Sequence, residues 1–291
     1  MTDVTRKETH PFTQILVLFG LWLGLTIISG LLSGALMVLG INVTSSDNLL
    51  AFQAVSQLIT FALPVLLMAV IYKYDSRVML QLDLSGPKWL QGLLAMLIML
   101  LMIPAIDWLT TWNDSWHWGG VWAKAEELLR SLGKMSEDII EGFLARPGVG
   151  YFIANLIVVA LIPAVCEELF FRGTLQQLFA KWFKNPHWAI LLTAAIFSLA
   201  HGDVFAFMPR FAMGIVLGYL CVASKSLAPC VCAHFFNNGL IVVLYYLHSN
   251  GVIAIDPSEQ MNFPTIITVC CTVAAVALFL TNMGRKMFKQ A

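Results

Sequence analysis

Eight apolar runs, at about 12–41, 50–72, 89–111, 150–171, 188–201, 206–223, 227–247 and 263–282, account for most of the chain's 291 residues. A helix crossing the hydrocarbon core of a bilayer needs about 20 apolar residues. Within lipid, every backbone N–H and C=O must be paired inside its own segment, which leaves helices or closed barrels as spanning structures. Runs of this length read as transmembrane helices. The expected architecture is an all-α polytopic membrane protein with about eight spans in a single integral domain, 1–291. The fifth run, 188–201, is short for a crossing unless it extends past its apolar part or packs inside the bundle. Hydrophobic residues make up 59% of the chain and charged residues 12%, against about 25% charged in soluble domains. Too few charges remain to coat a surface in water, so the lipid bilayer is the partner that composition requires. The formal net charge is zero and there is no long charge run, which gives no basis for binding nucleic acid.

Arg6 and Lys7 precede a first run too long for a secretory signal, so it reads as an uncleaved span. With the N-terminus inside and eight crossings, twelve of the 17 basic residues fall inside. Lys124, Arg130, Lys134, Arg146 and Arg210 fall outside. That bias favours both termini in the cytoplasm, in the plasma or inner membrane if the source is bacterial. The polar segment 112–148 is then an outer loop whose Trp112, Trp116, Trp118 and Trp122 fit a headgroup belt. Within it, Val121–Gly133 reads either as an interfacial amphipathic helix or as a solvated connector. Cys166, Cys221, Cys230, Cys232, Cys270 and Cys271 all sit in apolar stretches and read as free, buried thiols.

Against this background the sequence Cys166-Glu167-Glu168-Leu169-Phe170-Phe171-Arg172 stands out, because it ends an apolar helix that starts near Tyr151. An ionisable residue inside a span costs about 2.5–3.5 kcal/mol on insertion scales. Glu168 and Arg172 are i, i+4 and share a helix face, so they can pair. Glu167 lies about 100° around the helix and is left as a free carboxylate for acid–base work.

Two further groups join it. His201 closes Phe197-Ser198-Leu199-Ala200-His201, and Lys184, beside the helix-breaking Asn185-Pro186, is 17 positions from both Glu167 and His201. If both arms are helical, each residue lies about 25 Å from the turn, which sets the two at one depth in the cytoplasmic half. His234 and Asn238 are again i, i+4 on one face. They suit the stabilisation of an oxyanion or, equally, hydrogen bonds between helices. Asp107 and Asn155 read as packing or solvent contacts, and His10, His117, His187 and His248 fall in the tail, loops or span ends.

Glu-Glu-x-x-x-Arg, Phe-x-x-x-His and His-x-x-x-Asn, in this order on segments 150–240, resemble the signature of the CAAX protease and bacteriocin-processing (CPBP, or Abi) family of intramembrane proteases. The resemblance implies catalytic core helices over 150–240 and hydrolysis of a peptide bond in a membrane-associated protein or peptide. It implies Glu167 as the residue that activates water, His201 as its partner, and His234 and Asn238 as oxyanion donors. Glu168 and Arg172 match the supporting pair and Phe197 the aromatic wall; the depth of Glu167 and His201, with the basic-residue count, has the site open toward the cytoplasm. No cofactor is expected. The alternative is zinc held by Glu167, His201 and His234, although the chain lacks HExxH. A non-enzymatic immunity or scaffolding protein, or a transporter, is the reading from another class.

Overall fold

The structure, a computed structural model, describes residues 9–41, 46–73 and 88–283. Several basic residues in the orientation count, among them Arg6, Lys7, Arg77 and Arg285, lie outside the described residues. Among the described residues all regular structure is helical. We number the helices α1 Pro11–Val38, α2 Asn48–Tyr72, α3 Lys88–Asp114, α4 Ala123–Leu144, α5 Val149–Phe183, α6 Pro186–Leu199, α7 Phe207–Ser224, α8 Ala228–Ser249 and α9 Thr265–Asn282. Seven of these helices, all but α4 and α6, are long and apolar enough to cross a membrane. The fifth run is the exception foreseen, since 14 residues in α6 reach about 21 Å at helical rise, short of a core about 30 Å thick. Large apolar side chains such as Leu31 and Val70 lie on the outside of the bundle, where only lipid makes burial unnecessary.

What holds the short helix is close packing. Ala189, Ile190, Ala194 and Phe197 of α6 are fully buried. A Cβ at Gly214 of α7 would lie 2.9 Å from the Cβ of Ala194, and one at Gly218 would lie 2.8 Å from Cγ2 of Ile190. Small residues let helix backbones approach in this way inside membranes, where no hydrophobic force drives helices together.

Contacts order the two ends of the bundle. Phe12 packs on Trp182 (4.9 Å between ring centroids), Tyr219 on Phe279 (6.1 Å), and His187 Nδ1 meets the Tyr219 hydroxyl at 2.8 Å. The described start of α1 and the end of α9 therefore share the end that carries the α5–α6 turn. Lys73, Lys184 and Lys225 each end a helix there in the left-handed conformation (φ 49°, 51° and 53°), with cations at the negative ends of three helix dipoles. At the other end Thr111 bonds Gln260 (2.8 Å), and Asn113 bonds the Val204 carbonyl and the Met208 N–H (3.2 and 2.7 Å).

Helix α4 occupies part of the 112–148 segment and runs further than the Val121–Gly133 stretch read from the sequence. Arg130 clasps it in place. The guanidinium reaches Glu126 (3.1 Å), the Asp114 side chain (2.8 Å) and the Asp114 and Trp116 carbonyls (2.9 and 2.7 Å), and it lies 3.8 Å from the centroid of Phe205. Bonds from His117, the Trp118 N–H and Arg130 pull the Glu126 carboxyl from its ordinary 4.5 down to about 2.

Three π-helical turns interrupt the spans: Leu58–Ala62 in α2, and Leu156–Leu161 and Phe171–Leu175 in α5. Pro64 and Pro163 follow the first two closely. A proline lacks the N–H that would close the turn and crowds the carbonyl four residues back, so the helix widens upstream.

Gly214→Leu is expected to force α6 from α7 and to lower the midpoint of thermal unfolding in detergent, at a cost of about 1–3 kcal/mol from overpacking. A separate test addresses the clasp. Because the folded-state value of Glu126 is depressed, its contribution is present above about pH 4.5 and is lost as pH falls toward 2. Amide exchange in α4 should accelerate across that window.

Candidate active site

The site starts from two adjacent carboxylates on α5, and both are buried. Arg172, one turn on, donates from Nη1 to Glu168 Oε1 at 2.7 Å, as the i, i+4 spacing predicts. Its Nη2 donates to the Gly214 carbonyl at 2.9 Å, and the guanidinium sits 4.7 Å from the centroid of the Phe197 ring. Arg172 is fully enclosed, so it drops out of the cytoplasmic set used for orientation. The π-turn it lies in frees carbonyls that side chains then take up: Thr174 Oγ1 bonds Leu169 O (3.1 Å) and Gln177 Nε2 bonds Arg172 O (3.3 Å).

His234 of α8 links the two glutamates. Its Nδ1 lies 2.9 Å from Glu168 Oε1, the oxygen that also accepts from Arg172. A carboxylate that accepts two bonds cannot donate, so Nδ1 carries the hydrogen. The other nitrogen, Nε2, faces Glu167 Oε2 at 3.9 Å. Glu167 Oε1 accepts from Gln57 Nε2 of α2 at 3.2 Å, whereas Oε2 is buried without a hydrogen-bond partner.

The histidine brought within 4 Å of Glu167 is thus His234. Among the described residues no hydrogen bond or ion pair joins Glu167 to His201. α6 ends at Leu199, so His201 sits in the turn beyond it, and its Nδ1 donates to the Phe197 carbonyl at 2.8 Å. The two uniform α-helical arms that the equal count assumes are not present, since His201 is off the helix and a π-turn at Phe171–Leu175 lies between Glu167 and the α5–α6 turn. Phe197 contacts both histidines, with its ring centroid 4.9 Å from that of His201 and 6.0 Å from that of His234. The aromatic wall expected there is a fully buried ring. His201 itself is exposed, in a loop tied through Asn113 and Arg130 to the end of the bundle that carries α4. The exposed edge of the cluster therefore lies away from the α5–α6 turn, the end that the basic-residue count assigns to the cytoplasm.

Asn238 follows His234 by one turn, and its amide is engaged on α5. Nδ2 makes a long contact with the Val159 carbonyl (3.5 Å), and Oδ1 accepts from Asn237 Nδ2 (3.2 Å). Val159 is the residue to which Pro163, four positions on, can give no hydrogen bond. Asp107 caps the Met261 N–H and Asn155 bonds the Phe143 carbonyl, the packing contacts expected of them. All six cysteines are free, although Cys270 is exposed on α9 rather than buried. Sequence reading missed Gln57, whose signal was an amide in an apolar run a few residues before a proline.

Among the described residues no group of three or more His, Cys, Asp or Glu side chains is arranged to hold a metal ion. Both nitrogens of His234 are turned to carboxylates.

Replacing Arg172 by Leu should strand Glu168 as an unpaired buried charge and remove about 3–5 kcal/mol of stability. Thermal unfolding of the Glu168→Leu/Arg172→Leu double variant should recover most of that loss; equal loss in both would contradict the pairing.

Residues 149–240 match a family model described as type II CAAX prenyl endopeptidase Rce1-like. The uncharacterized protein YyaK of Bacillus subtilis (strain 168) is 28% identical over 116 residues, which are 37% of this chain. The chain spans 38% of the length of that curated relative. No solved structure matches. The matched segment holds Glu167, Glu168, Arg172, His201, His234 and Asn238 but not Gln57. Over this segment the chain carries the pattern of Rce1-like CAAX endopeptidases, consistent with the CAAX protease and bacteriocin-processing family.

Proposed function

We propose that the protein is an intramembrane endopeptidase in which Glu167 activates water to hydrolyse a peptide bond of a membrane-associated protein or peptide. The observation that carries this reading is Glu167 Oε2, a buried acceptor with no bond of its own, 3.9 Å from His234 Nε2. A water beside Glu167 Oε2 can donate a hydrogen to that oxygen, which is what a general base needs of its substrate water.

In the reaction, the water oxygen bonds to the scissile carbonyl carbon as Glu167 takes one of its protons. The carbonyl π electrons move to oxygen, where negative charge develops and preorganised donors stabilise it. Asn238 is the candidate for that task, by releasing its long contact to Val159, whereas His234, whose Nδ1 hydrogen goes to Glu168, can donate there only after Nε2 gains a proton. The C–N bond then breaks, and the proton on Glu167 passes to the departing amine. Glu168 and Arg172 keep His234 in one tautomer and orientation. His201, fixed through Nδ1, offers Nε2 at the exposed edge, where substrate would arrive. The match to CAAX endopeptidases supports an anchored peptide as substrate.

In liposomes, an internally quenched peptide bearing a farnesyl cysteine serves as probe. Glu167→Gln should slow its cleavage by about 100-fold or more with unfolding temperature preserved. Cleavage at the wild-type rate would exclude Glu167 as the base, and a wild-type protein that leaves the probe intact would favour an immunity or scaffolding role. A chelator should leave the rate unchanged; loss of activity that zinc restores would establish the metalloprotease alternative.

A further inference from the structure

The cluster has a member from outside the segment that carries the motifs. Gln57 sits on α2, immediately before the π-turn at Leu58–Ala62 that Pro64 imposes, and reaches across to Glu167 Oε1 at 3.2 Å. Only the N–H side of an amide can donate to a carboxylate, which fixes the way the side chain faces. Its own Oε1 is then buried and, like Glu167 Oε2, has no hydrogen-bond partner. Each of these two oxygens shares a carbon with an atom of the Gln57–Glu167 bond, so both lie within a few ångströms of it. An uncompensated buried acceptor is costly, and here two occur side by side at a carboxylate read as a base.

We propose that Gln57 is a positioning residue for water activation: its N–H holds Glu167, and its Oε1 is a second acceptor for the attacking water. This rests on the reading of Glu167 as the base. One water hydrogen points to Glu167 Oε2 and is transferred as the oxygen bonds to the carbonyl carbon. The other points to Gln57 Oε1 and stays on the oxygen, which becomes part of the new carboxyl group. A water held by two acceptors presents a lone pair in a defined direction, and orientation of this kind lowers a barrier without adding binding energy for the substrate.

Gln57→Leu separates this role from packing, because it keeps an apolar residue of similar size in the span. In the reconstituted full-length protein, the infrared difference between wild type and Glu167→Gln isolates the Glu167 carboxyl band. That band should shift in Gln57→Leu, and an unchanged band overturns the proposal. With the farnesyl-cysteine peptide as probe, kcat should fall about 10- to 100-fold, as expected for a lost hydrogen bond to a charged group. KM should stay within about twofold. Cleavage that depends on Glu167 but keeps its wild-type kcat in Gln57→Leu overturns this inference alone. Cleavage at the wild-type rate in Glu167→Gln removes the proposed function and this inference with it.

Discussion

The buried pair between Glu168 and Arg172 is the interaction on which the rest of the arrangement depends. Neither charge is tolerable alone in a membrane helix, where removing one partner leaves the other stranded. Further groups join the pair, although Glu168 Oε2 and Arg172 Nε stay without a hydrogen bond among the described residues: the Gly214 carbonyl takes Nη2, the Phe197 ring lies beside the guanidinium, and His234 gives its Nδ1 hydrogen to Glu168. Each of these partners comes from a different helix. α5, α6, α7 and α8 are thereby locked in one register around a single carboxylate, and the placement of His234 Nε2 toward Glu167 follows from that lock.

Backbone irregularity does the remaining positioning. The π-turns in α2 and α5 lie next to Gln57, to Val159 opposite Asn238, and at Arg172 itself. Two of them trace to single prolines. In lipid such a defect is tolerable only where neighbouring side chains recover the freed carbonyls, which is the work of Thr174 and Gln177 at the third turn. Gly214 contributes twice, through the close approach of α6 and α7 and through its carbonyl on Arg172.

Much of this was legible in the sequence, and for identifiable reasons. Apolar run length fixed the helical class, and the i, i+4 rule found the Glu168–Arg172 pair because both residues lie on one helix. Relations between helices were less accessible. Counting residues from the Lys184 turn set His201 level with Glu167, but the helix ends two residues too early and α5 is not a uniform α-helix below Glu167. Arg172 was counted as a cytoplasmic charge because its burial depends on three other helices. Gln57 is 110 positions from Glu167 in sequence, and no local pattern connects them. The Arg130 clasp on α4 was not legible either, because its acceptors include main-chain carbonyls that a sequence does not display.

The account's central claim is that Glu167 delivers water directly to the peptide bond, with no side chain acting as nucleophile. Cleavage of an anchored peptide in the presence of hydroxylamine tests it most directly, since a covalent acyl-enzyme is open to capture by an added nucleophile. Direct attack by water predicts a free carboxylate as the sole new C-terminus at every hydroxylamine concentration. A hydroxamate product that increases with hydroxylamine would show an acyl-enzyme and contradict the account.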